Sequence, residues 1–109
     1  MALTIQKLFS SQQLPASAAA IFSVPSGTSS YTLKNGRVRL TNTTAGTVPV
    51  TLYIGSAAAI NCFLSGYSLG AGLSYEVDVP TMAAGDSLQG FAGSAASVTI
   101  HEMGGVLYS

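Results

Sequence analysis

The sequence predicts an all-β protein: a single antiparallel β-sandwich, jelly-roll or immunoglobulin-like, of about seven to nine short strands. Three observations carry this. Short runs alternate β-branched or aromatic residues with polar ones. Twelve glycines and four prolines, among many serines and threonines, break these runs with turn signals. The one helix-like stretch, Ala57 to Ile60, is too short for more than a turn. At 109 residues the chain fits one domain, spanning 1–109.

The elements follow in order. Leu3 to Phe9 is a first apolar run, and Leu14 a further apolar residue. Ser10 to Gln13 and Pro15 to Ser17 around it have the composition of flexible connections. Residues 1–17 therefore have two readings. Either residues 3–9 form the first strand of their own sandwich, or Leu3, Ile5, Leu8, Phe9 and Leu14 belong to an extended arm. Such an arm would pair with an exposed sheet edge of another chain.

Ala18 to Val24 is the next strand, and Val24-Pro25-Ser26-Gly27 a turn in which Pro25 presets φ. From Tyr31 to Asn42 the apolar phase changes: Tyr31 and Leu33 are odd, Val38 and Leu40 even, with Asn35-Gly36 at the change. A hairpin or a bulge would each explain this. The bulge is preferred, because Asn42 to Thr47 already supplies the loop to the next strand. There Val48, Val50, Leu52 and Ile54 face one way and Pro49, Thr51 and Tyr53 the other. Asn61 to Leu64 is a short strand. Leu73, Tyr75, Val77 and Val79 alternate with Ser74, Glu76 and Asp78, which take the wet face. Gly85-Asp86 makes a turn in which Asp86 caps backbone N–H groups. Leu88 to Ala92, Val98 to Glu102 and Val106 to Tyr108 are the last strands.

Charge narrows the function classes. Charged residues are 7% of the chain, four basic against four acidic, where an average protein has about 25%. Mean hydropathy is +0.45. Duplex nucleic acid is not an expected partner, since no large basic surface exists. A membrane span is not expected either, because no window approaches roughly 18 consecutive apolar residues. The N-terminus has no basic region followed by an apolar block, so no secretory leader is expected. A neutral, apolar exterior suits a surface covered by copies of the chain or by another protein.

Catalytic chemistry finds few groups. Cys62 is the sole cysteine and His101 the sole histidine. Cys62 reads as a small buried hydrophobe beside Phe63, and His101 as an outward residue of a strand. There is no Gly-x-Ser-x-Gly elbow and no phosphate loop. Glu76 and Asp78 read as a solvated strand face. No enzyme activity, cofactor, metal or small-molecule substrate is expected. The densest charge cluster is Lys34, Arg37 and Arg39, with Glu76 and Asp78 supplying the opposite sign from another strand. Such pairs, across a sheet or a subunit boundary, set register more than affinity.

The order of features resembles a known type. Lys7-Leu-Phe-Ser-Ser-Gln-Gln-Leu-Pro15 precedes Ile21-Phe-Ser-Val-Pro-Ser-Gly27, then Val38-Arg-Leu-Thr-Asn-Thr-Thr44 and Val50-Thr-Leu-Tyr-Ile54. Met82-Ala-Ala-Gly-Asp-Ser-Leu88 and Ala95-Ala-Ser-Val-Thr-Ile100 follow. This pattern is similar to the small β-sandwich structural proteins of tailed-bacteriophage virions. The resemblance implies a non-enzymatic virion protein assembled in the host cytoplasm. It would decorate or cement the capsid, or form part of the neck, collar or tail. Its implied partners are the major capsid protein or other virion proteins, and copies of itself. A small carbohydrate-binding β-sandwich is the expectation from another class; it requires an aromatic platform, and the five tyrosines are scattered along the sequence.

Overall fold

The structure, a computed structural model, describes residues 3–4, 8–25 and 31–108. Its nine strands, among the described residues, are β1 (Leu3–Thr4), β2 (Gln12–Gln13), β3 (Ala19–Ser23), β4 (Thr32–Asn42), β5 (Val48–Ile54), β6 (Cys62–Leu69), β7 (Ser74–Val79), β8 (Ser87–Ala92) and β9 (Val98–Tyr108). A short 3-10 turn, Ala59–Asn61, precedes β6. All pairings are antiparallel. One sheet has the order β1-β9-β4-β7, with β2 also on β9; the other has the order β3-β8-β5-β6. We call them sheets A and B. With β1 and β2 counted as one interrupted strand, this is the strand order of a jelly roll, two interlocked Greek keys. The molecule measures 46 × 26 × 17 Å.

The core lies between the sheets. Val38, Leu40, Val98, Ile100 and Leu107 of sheet A meet Val50, Leu52, Leu88 and Ala92 of sheet B, all at most 2% exposed. The backbone is cut to fit. A Cβ on Gly90 would stand 2.6 Å from Leu52 Cδ2 and 2.9 Å from the Thr51 carbonyl oxygen. Only glycine lets β5 and β8 lie this close.

β4 is one strand with a bulge, as its phase change predicts. Against β9 its register slips between Lys34 and Arg37, and Asn35 has φ of 57°. Leu33 is buried before the slip; Gly36, Val38, Leu40 and Asn42 are buried after it. The slip leaves Lys34 exposed along with Arg37 and Arg39.

Several boundaries differ from expectation. Gly104-Gly105 does not end a strand. With φ of 152° and 155°, accessible to glycine, the two carry β9 through from Val98 to Tyr108. β6 continues past Leu64 to Leu69, with Gly66 at φ 54° in its bulge. Gln12–Gln13, expected as a connection, is a strand on β9. Cys62 and Ile54 are half-buried rather than buried. Leu73 is 60% and Tyr75 37% exposed, although both were expected on the core face. Tyr75 does oppose core residue Leu40, but β7 is the edge strand of its sheet and Leu73 precedes it.

Asn42 closes the strand-end loop from inside the protein. It is fully buried, and its Nδ2 donates to the carbonyls of Gly46 (2.8 Å) and Leu69 (2.9 Å). Its Oδ1 accepts from the Thr44 N–H (2.9 Å) and hydroxyl (2.7 Å). Asp86 caps its turn as expected: Oδ2 accepts from the Ala83 N–H at 2.9 Å.

Candidate interaction surfaces

The segment proposed as an arm lies, where described, on its own chain. β1 pairs with the C-terminal end of β9, Leu3 opposite Tyr108 and Thr4 opposite Leu107. Leu14 is 1% exposed, and its N–H donates to the Val98 carbonyl at 2.8 Å. One residue later the Pro15 carbonyl accepts from the Ala92 N–H of sheet B at 2.9 Å. The chain crosses between sheets here. Leu8 and Phe9 pack against the core, Phe9 with its ring 6.2 Å from that of Phe22. Ile5, Lys7 and the turn residues Ser26 and Gly27 lie outside the described residues.

The basic and acidic residues meet within the molecule. In the β4–β7 register Arg37 opposes Asp78 and Arg39 opposes Glu76. Arg37 Nε donates to Asp78 Oδ1 at 3.1 Å, with both side chains largely exposed. A pair this wet contributes little, about 0.2–1 kcal/mol. Arg39 is flanked on its other side by His101 of β9, which is exposed as expected. Beside the bulge an open groove of about 550 Å³ runs between Asn35–Arg37 and Asp78–Thr81. Of the pairs expected across a sheet or a subunit boundary, Arg37–Asp78 closes across the sheet within the chain, and Arg39 and Glu76 stand opposite each other in register.

Sheet B is different. None of the residues in β3, β5, β6 and β8 is charged. The alternation of β5 and β8 turns Pro49, Thr51 and Tyr53, and Ser87, Gln89 and Phe91, away from the core. The rings of Tyr53 and Phe91 stack there, with centroids 6.3 Å apart. At the β5–β6 end a groove of about 490 Å³ is lined by Tyr53, Ala59, Cys62, Phe63 and Ser65. Ile60, between two of these in sequence, is 92% exposed.

Sequence reading missed two features. Tyr67 and Tyr75, taken as scattered, stack with centroids 4.2 Å apart. That the strands of sheet B carry no charge was legible only once strand order was known. Among the described residues no three His, Cys, Asp or Glu side chains gather as metal ligands. Among them, too, no helix is long and apolar enough to cross a membrane. No protein-family model matches the chain, and no curated protein matches it.

Proposed function

We propose that this protein is a non-enzymatic structural component of a tailed-phage particle that works by covering surface, most specifically as a capsid decoration or cement protein. The observation that carries the reading is the charge-free sheet B with its exposed Ile60 and adjoining groove. An uncharged exterior with a large aliphatic side chain standing free in water supports a surface that a partner covers. The sequence resemblance to small virion β-sandwiches points the same way, and jelly rolls recur in capsid proteins. Its partners in this reading are the major capsid protein and other copies of the chain. Neck, collar or tail placement is the alternative position in the same particle.

A carbohydrate-binding role draws support from the Tyr67–Tyr75 stack, since jelly rolls also serve lectins. The rings, however, cover one face of each other, at an interplanar angle of 14°.

Quantitative mass spectrometry of purified particles tests the proposal. Copies comparable in number to the capsid subunits support decoration. A small fixed number, on the scale of one ring, moves the protein to the neck or tail. Absence from the particles overturns the virion reading, and glycan-array binding by the same protein would replace it.

A further inference from the structure

We infer that Tyr67 and Tyr75 form an oxidative cross-linking site, where a one-electron oxidant joins the two rings and staples the sheets together at their open edges. This chemistry is independent of the particle reading and of the outer face of sheet B.

The geometry is that of two reactants held together. Tyr67 stands opposite buried Val50 in the β5–β6 register, and Tyr75 opposite buried Leu40 in the β4–β7 register. Each ring therefore leaves its sheet on the core side. They meet between the sheets, with centroids 4.2 Å and planes 14° apart. Both residues are still 37% exposed, so a small oxidant reaches them from outside. The centroid separation is already close to that of two directly bonded rings; coupling adds a slide from face-to-face to edge-to-edge. Among the described residues no strand lies outside β6 or β7, which leaves room for that slide.

Hydrogen peroxide, acting through a haem peroxidase, supplies the oxidant. Each phenol gives up one electron and its hydroxyl proton. The two phenoxyl radicals form one carbon–carbon bond between ring carbons ortho to the oxygens. The hydrogen on each joined carbon then passes to the phenol oxygen, which restores both aromatic rings. The chain loses two hydrogens in all, and the peroxide becomes two waters.

Two features select this pair. Tyr53 stacks on Phe91, and Phe9 packs near Phe22; phenylalanine has no hydroxyl hydrogen to give. Among the described residues Tyr67–Tyr75 is thus the pair of phenols in ring contact. Coupling between rings already held together is unimolecular and outruns encounters between chains. Cys62 is the sole cysteine, so a carbon–carbon bond here supplies a tie that no disulfide within the chain can.

Oxidation of the full-length protein with hydrogen peroxide and a haem peroxidase tests this. Dityrosine fluorescence is expected in chains that run as monomers on a denaturing gel, at a yield per chain independent of protein concentration. The intact mass should fall by two hydrogens, and tandem mass spectrometry should find no fragment ions from cleavage between residues 67 and 75. Tyr67→Phe and Tyr75→Phe keep a ring in the stack and are expected to lower the fluorescence by about tenfold or more. Tyr108→Phe, outside the stack, is expected to leave it unchanged. The cross-linked form should melt about 5 °C or more above the unmodified one, as covalent loop closure predicts. Fluorescence found only in covalent dimers, or equal in Tyr67→Phe and wild type, overturns the inference. So does a cross-linked form that melts no higher, because the bond then staples nothing.

Discussion

The rings of Tyr67 and Tyr75 stack 4.2 Å apart, and they come from the open edges of opposite sheets. Among the described residues β6 and β7 have no strand partner on their outer sides, so this pair links the two sheets at their open edges. Tyr67→Ala and Tyr75→Ala should each lower stability. A double-mutant cycle in urea should return a coupling of about 0.5–1.5 kcal/mol, the usual value for an aromatic pair. Additive losses would show that each ring acts alone.

Asn42 is expected to be the most sensitive polar position. Asn42→Ala leaves the Gly46 and Leu69 carbonyls without their side-chain donor and should cost about 1–3 kcal/mol in chemical denaturation. Asn42→Asp aims a carboxylate at the same two carbonyls and should cost more. Burial and those oxygens raise that carboxyl's folded-state pKa above its unfolded value. The Asp variant should therefore recover stability towards acid, below the unfolded pKa, and lose it as pH rises. A pH-independent deficit would contradict this.

The N-terminal segment should behave as part of its own domain. Leu14→Ala removes a side chain 1% exposed and should cost about 2–5 kcal/mol. Deleting residues 1–14 also strips β1 and β2 from β9 and should abolish cooperative thermal unfolding. Were the truncated chain to melt at the wild-type temperature and fail only in assembly, the arm reading would hold.

Arg39 and Glu76 stand opposite each other in register. Arg39→Glu sets like charges across β4–β7 and should lower stability by about 0.2–1 kcal/mol. The double exchange Arg39→Glu with Glu76→Arg should restore it. Particle occupancy measured on both variants separates a contact with a neighbour from this internal pairing: only a neighbour contact would leave the stable double exchange still poorly incorporated.

Local pattern carried most of the fold. The alternation in β5 and the phase change at Asn35-Gly36 both survive in the structure, because a buried face forces period two and a bulge shifts it by one. Glycine misled the reading twice. Gly104-Gly105 looks like punctuation yet lies within β9, and Gly66 sits in a bulge of β6 where Ser65 to Ser68 shows no alternation. The surfaces were less legible. Tyr67 and Tyr75 are close in sequence but occupy different sheets, and no local period reports that a connection changes layer. The pairing of Arg37 with Asp78 was anticipated in sign; that it closes within one chain depends on β4 and β7 being neighbours.

The one-sided placement of charge gives the molecule an uneven hydration. Sheet A holds its water through ions, and drying it would cost several kcal/mol per ion. Sheet B holds water only through scattered hydroxyls, one amide and its edge backbone, so it dries more readily. Any contact that excludes water should then choose the same side of the plate, whatever surface it meets. Because wetting rather than charge matching makes that choice, added salt should leave the orientation unchanged, and lyotropic salts such as sulfate should strengthen the contact.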